Sequence, residues 1–255
     1  MRGWVQAAAI ALLVTSVPAA GAPAAPADVA AAVANTGART PANVDLDASR
    51  KPVELLNFLG LKQGMRVIDM FGGNLYWAEI MAPAVGPKGQ VIIWNPAQFT
   101  NAKRLAAFAE FDAKTSNVWW ISSPFEAPDL SPGRYDFMLM NLDYHDVYWQ
   151  SAERKIPRME PDAWLKTLYA AMKPGGIVAI IDHVAKPGGD TRDVVDKLHR
   201  IDPAVVLADF KRAGFVLTGT SKLLRNPADD LSLLVFDPAI RGKTDRFIYR
   251  FKRPR

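Results

Sequence analysis

The sequence predicts a one-domain α/β fold in which a mostly parallel, seven-stranded sheet ends in an antiparallel strand. Three observations lead there. Short apolar runs alternate with stretches at helical spacing between Ser49 and Arg255. The first run, Arg66-Val67-Ile68-Asp69-Met70, is bounded by Gly64 and Gly72, the pattern of a buried parallel strand. The last two strand-like runs follow one another with no long helix between them, so they close the sheet antiparallel.

The elements follow in order. Val53, Leu55, Leu56, Phe58 and Leu59 recur at helical spacing behind Pro52, with Ser49 or a neighbour as the cap and Gly60 as the stop. After the first strand a helix is expected over Ala78–Val85, then a strand over Gln90–Trp94, a helix near Lys103–Asp112, and strands over Asn117–Ile121 and Tyr135–Asn141. Asp162–Met172 reads as helix, Lys173-Pro174-Gly175-Gly176 as a turn and Ile177–Asp182 as the fifth strand. Asp202-Pro203 opens a helix running to Arg212 and stopped by Gly214, and Phe215–Leu223 and Arg246–Phe251 are the closing strands.

Composition narrows the function classes. With 49% hydrophobic and 22% charged residues among 255, the chain is neither disordered nor collagen-like. The net charge of +5 comes from interspersed residues, and the basic run Arg246–Arg255 alternates with Phe247, Ile248, Tyr249 and Phe251, so it reads as a half-buried strand and not as a nucleic-acid patch. The absence of cysteine excludes a disulfide framework, thiolate metal ligation and a cysteine nucleophile.

Arg2, the apolar stretch Trp4–Val17 and the small residues Ala19–Ala25 have the layout of a secretory signal peptide over residues 1–24, cleaved after Ala19 or Ala24. An exported, periplasmic or secreted protein is the expectation. The apolar stretch is shorter than the roughly 20 residues of a membrane span, so no stable span is expected after cleavage. Residues 25–48, rich in Ala, Pro, Asn and Asp, read as a linker, and residues 49–255 as the domain. The oligomeric state is not encoded in any feature of the sequence.

In an open α/β sheet ligands sit beyond the carboxyl ends of the strands, at the point where strand order reverses. The loop after the first strand, Asp69 to Leu75, lies there. Five βα units, this loop, Lys173-Pro174-Gly175-Gly176, the Ala213-Gly214-Phe215 step and the terminal antiparallel strand together resemble the class I S-adenosylmethionine-dependent methyltransferases, with their Rossmann-like fold. Arg50-Lys51-Pro52, Phe71-Gly72-Gly73, Val85-Gly86-Pro87-Lys88-Gly89, Tyr144-His145-Asp146 and His199-Arg200-Ile201-Asp202-Pro203 resemble, more narrowly, a bacterial group of often exported methyltransferase-like proteins.

The resemblance implies S-adenosylmethionine as cofactor, held by Asp69, Phe71, Gly72, Gly73, Asn74, Asn95, Ser122 and Ser123. The acidic-x-Gly-x-Gly-x-Gly pattern of the superfamily puts Asp69 at the acidic position, with Phe71, Gly73 and Leu75 at the three glycines. Asn95 stands where a carboxylate usually takes the ribose hydroxyls, and Ser122 and Ser123 where the adenine contact falls. Beyond the fourth strand, His145 is the expected general base, with Asn141 aligning the reactants and Asp146 beside them. Asn141, Asp143, Asp182 and His183 are an alternative set for a divalent cation, although no metal is the main expectation. Tyr76, Tyr144, Tyr148 and Trp149 are expected to line an apolar pocket.

A methyltransferase acting on a small-molecule substrate is the implied function. Its rival is a non-catalytic exported binding protein that retains the fold. A nicotinamide-dependent dehydrogenase is disfavoured, because no Gly-x-Gly-x-x-Gly follows the first strand and no carboxylate the second.

Overall fold

A computed structural model describes residues 24–255; the leader expected over residues 1–24 lies, except for its last residue, outside them. The seven strands are β1 (Arg66–Met70), β2 (Gln90–Pro96), β3 (Val118–Ser123), β4 (Tyr135–Asn141), β5 (Met172–His183), β6 (Val216–Ser221) and β7 (Arg246–Lys252). They form one sheet in the order β3-β2-β1-β4-β5-β7-β6. Pairing is parallel from β3 through β5, and β7 runs antiparallel to both β5 and β6. The order reverses between β1 and β4, which places the crevice at their carboxyl ends.

Side chains of the central strands alternate between two cores, as the two-residue period of a strand requires. Val67, Ile93, Phe137 and Leu139 face one layer, while Ile68, Trp94, Met138 and Met140 face the other. The first layer holds α4 (Pro52–Leu59) and α5 (Tyr76–Val85), and the second α7 (Pro161–Ala171) and α9 (Pro203–Arg212). α6 (Ala102–Asp112) flanks β3. Asp202 caps α9 as expected, its side chain accepting the Ala204 amide at 2.8 Å.

Residues 25–48 are not a linker. They form α1 (Val29–Ala34), α2 (Pro41–Val44) and, reaching on to Arg50, α3 (Asp47–Arg50). Val29 and Ala32 are buried, and α1 packs on α4 and α5. Long-range polar contacts order the segment: Arg39 grips the Asp47 carboxylate at 2.7 and 2.8 Å, and Thr40 Oγ1 donates to Glu79 at 2.6 Å. Asn43 donates to the Asn74 carbonyl at 3.1 Å, so the segment props the loop after β1. Helices of four to six residues carry too few turns for a readable period, which is why composition alone suggested a linker.

Ser49 does not cap α4. Its hydroxyl donates to the Leu46 carbonyl, and the cap position is Lys51, held left-handed at φ 47°. Lys173–Gly176 is a bulge within β5 rather than a turn before it, since Tyr135 pairs with Met172 and Phe137 with Ile177. α8 (Thr191–Leu198) was not expected; it buries only Val195 and is fixed by Asp190, whose carboxylate accepts the Asp193 amide at 3.0 Å. Among the described residues, no helix is long and apolar enough to cross a membrane.

Candidate functional site

The turns leaving β1 and β4 are both made by bulky residues in left-handed backbone: Phe71 at φ 60°, Leu75 at 65° and Leu142 at 69°. Phe71 and Leu75 occupy two glycine positions of the superfamily pattern, and they keep the backbone shape that glycine would adopt freely. Phe71 is held by edge-on contacts at 5.1 Å with the rings of Trp94 and Phe125. Gly72 and Gly73 are required for close approach: a Cβ on the first would overlap Asp69 Oδ2, and on the second Asn95 Oδ1.

Between these turns lies a cavity of about 180 Å³ whose lining includes Arg50, Asp69, Phe71, Gly72, Asn141 and Asp143, together with Asn74 and Arg104. Asp69 is buried, and its Oδ2 has no hydrogen-bond partner. Burial raises its pKa to about 8, against the opposing pull of Arg50. The Arg50 guanidinium lies over the Tyr76 ring, 4.2 Å from its centre. Asp143 is also raised well above the ordinary carboxyl range, first by withdrawal from water and then by the charge of Asp146.

On the β2 side the polar groups are turned inward. Asn95 is buried; its amide donates to the Pro96 carbonyl and, at 2.8 Å, to Thr100 Oγ1. Its Oδ1 accepts from Arg104 Nη1 at 3.2 Å, and the same nitrogen donates to the Phe99 carbonyl at 2.7 Å. Ser122 Oγ lies 3.1 Å from Thr100 Oγ1, while Ser123 Oγ accepts from Trp94 Nε1 at 2.8 Å and from the Asp129 amide.

His145 does not line the cavity. It sits in the turn Tyr144–Tyr148, buried, with Nδ1 2.8 Å from Asp182 Oδ1 and its amide donating to Asp182 Oδ2 at 2.8 Å. Burial disfavours charge on the ring, but Asp182, Asp146 and Asp143 outweigh it and raise its pKa to about 9. A raised pKa works against the base role, which uses the neutral ring.

Six of the residues chosen from sequence thus share the cavity: Asp69, Phe71, Gly72, Asn74, Asn141 and Asp143. Gly73 and Asn95 abut each other behind it, and Ser122, Ser123, His145 and Asp146 lie elsewhere. The alternative cation set is not assembled. Asp182 is saturated by His145 and the His183 amide, and His183 Nδ1 pairs with Thr244 Oγ1 at 2.7 Å. Tyr144 and Tyr148 do not line the cavity; both hydroxyls donate to Asp209 Oδ2. Sequence reasoning assigned no role to Arg50 or Arg104. Arg50 belonged to a quoted motif, whereas nothing local marked Arg104.

No protein-family model and no curated protein matches the sequence. Among solved structures, a SAM-dependent methyltransferase from Aquifex aeolicus matches with a TM-score of 0.57 at 20% identity, over 89% of this chain and 98% of that one. An arsenic(III) S-adenosylmethionine methyltransferase from Chlamydomonas reinhardtii matches at 0.54 and 15% identity, over 92% and 75%. The cyclase SpnF matches at 0.55 and 16% identity, over 92% and 98%. The chain therefore has the Rossmann-like fold of the S-adenosylmethionine-dependent methyltransferases.

Proposed function

We propose that the protein binds S-adenosylmethionine and transfers its methyl group to a small-molecule acceptor. The observation that carries this reading is the cavity at the strand-order reversal, where the Arg50 guanidinium faces the unpartnered Asp69 carboxyl, with Asn141 and Asp143 alongside. That donor set suits the amino-acid end of the cofactor: a guanidinium for its carboxylate, and carboxyl and amide oxygens for its ammonium. The cavity of about 180 Å³ is smaller than the roughly 300 Å³ at the lower end of ligand pockets, so the nucleoside needs more room. Arg104, a half-buried lining residue that donates to Asn95 and to the Phe99 carbonyl, is the long side chain whose movement would widen the cavity.

When bound, the cofactor supplies an electrophilic methyl on a sulfonium. The protein's own contribution is positioning. Asn141 presents an oxygen and an amide at the end of β4, and Asp143, whose carboxyl pKa is held above the ordinary range, adds a second hydrogen-bonding group to the cavity. His145 keeps the turn closed through Asp182.

Calorimetry of the parent chain with S-adenosylmethionine and its demethylated product tests the reading, together with Arg50→Met. Binding that falls at least tenfold in Arg50→Met supports it, and no binding by the parent refutes it. The rival reading, a binding protein that retains the fold without transfer, is favoured by one feature, Arg104 seated across Asn95. If only Arg104→Ala binds the nucleoside, the rival stands.

A further inference from the structure

We propose that His145, Asp146 and His199 form a site for a divalent transition-metal cation of the zinc type. Their ligand atoms make a nearly equilateral triangle. His145 Nε2 and Asp146 Oδ1 are 3.4 Å apart, His199 Nδ1 and Asp146 Oδ1 3.4 Å, and the two ring nitrogens 3.3 Å. A tetrahedral centre with bonds of about 2.0–2.1 Å spans ligand-to-ligand edges of about 3.3–3.4 Å. An octahedral cation with bonds of about 2.1 Å spans neighbouring edges of only about 3.0 Å. The triangle has the tetrahedral size on every side and leaves a fourth corner for water or another ligand. Two imidazole nitrogens and one carboxylate oxygen also favour zinc and its neighbours in the transition row over magnesium or calcium.

Three surrounding features point the same way. Asp146 Oδ1 is buried and makes no hydrogen bond, although both ring nitrogens are within 3.4 Å of it. It is equally distant from the two rings. The other nitrogen of His145 is fixed by Asp182, the carboxylate-behind-histidine arrangement that orients metal-bound imidazoles. His199 is held left-handed at φ 49° at the end of α8, and the next residue, Arg200, is locked in a fully buried ion pair with Asp229 at 2.8 Å. The rings of Trp149 and Phe236 flank His199 at 5.3 and 5.1 Å. None of these groups lines the cavity between β1 and β4, so the site stands apart from the proposed cofactor site.

The test uses the untagged chain, stripped with a chelator and titrated with Co²⁺ and then Zn²⁺. One equivalent of Co²⁺ should give the intense visible bands of a four-coordinate centre, and Zn²⁺ should abolish them. His199→Ala and Asp146→Ala should each weaken uptake by more than about a hundredfold, and Asp182→Asn, which reaches the triangle only through His145, by about 10–100-fold. A parent chain that takes up no stoichiometric Co²⁺, or gives only the weak bands of a six-coordinate ion, overturns the proposal. So does uptake unchanged in His199→Ala. The parent spectrum decides the matter even if a variant fails to fold.

Discussion

Replacing Asp69 with Asn removes a buried ionisable group while keeping its shape, and the consequence for stability has a definite pH window. In the folded chain the carboxyl is buried, lacks a partner on Oδ2 and holds its proton to about pH 8. In the unfolded chain it ionises near 3.8, the ordinary value. Between those limits the folded state binds the extra proton, so stability falls as pH rises; below the window both states are protonated, and above it both are ionised. The contribution changes by about 1.4 kcal/mol per pH unit, or about 3 kcal/mol between pH 5 and pH 7. Urea denaturation of parent and Asp69→Asn at pH 5, 6, 7 and 8 should show the variant gaining on the parent by that slope. A difference that stays constant across the window refutes the reasoning, because it would mean that Asp69 is already ionised when folded. A cationic ligand group beside Asp69 would favour its charged form, so the parent's affinity for S-adenosylmethionine should rise from pH 6 to pH 8, and that of the variant should not.

Asp229→Ala should destabilise the chain by about 3–5 kcal/mol in chemical denaturation, since it strands the fully buried Arg200 guanidinium; a loss below about 1 kcal/mol would show that the guanidinium finds another acceptor. Gly73→Ala should cost about 1–3 kcal/mol and displace Asn95, because the added Cβ overlaps Asn95 Oδ1. A crystal structure of the variant with Asn95 unmoved would contradict this. For His145, whose pKa is raised from 6.5 to about 9, the stabilisation is full below 6.5 and is lost as pH climbs to 9. With chelator present, His145→Gln should therefore be destabilised most at pH 6 and least above pH 9, and a gap independent of pH would discount the charge.

The fold was legible because its signals are periodic. The strand over Tyr135–Asn141 and the helix from Pro203 to Arg212 stand where apolar spacing and the Asp202-Pro203 cap put them. The cavity was legible in part for a topological reason: Asp69 and Asn141 end the two strands that flank the order reversal, and strand ends can be read from the sequence. What lay beyond reach was set by contacts between distant residues. Arg39, Thr40 and Asn43 fold an apparent linker onto Asp47, Glu79 and Asn74. The inward turn of Asn95 depends on Arg104, nine positions along, and the raised pKa of His145 depends on Asp182, 37 positions along. His199 looked like a loop residue because its meaning lies in two neighbours 54 and 53 positions before it.

The loop after β1 holds two bulky residues in left-handed backbone. A non-glycine residue in left-handed backbone costs roughly 1–2 kcal/mol, so Phe71 and Leu75 each impose a penalty that glycine would not. The penalty is offset locally. Phe71 gains two edge-on aromatic contacts, each worth about 0.5–1.5 kcal/mol, and Leu75 is buried. Packing therefore supports a backbone shape that glycine would adopt freely. The Phe71 ring lines the cavity, and Arg104 donates to Asn95 beside it. The fold alone does not fix chemistry, and similar architecture accompanies both methyltransferases and a cyclase. This chain has two polar centres, one before the Tyr144–Tyr148 turn and one within it. Asn141 and Asp143 precede the turn and face the cavity, whereas His145 and Asp146 lie within it and face His199. A six-residue stretch thus divides its polar side chains between the cavity and the triangle with His199.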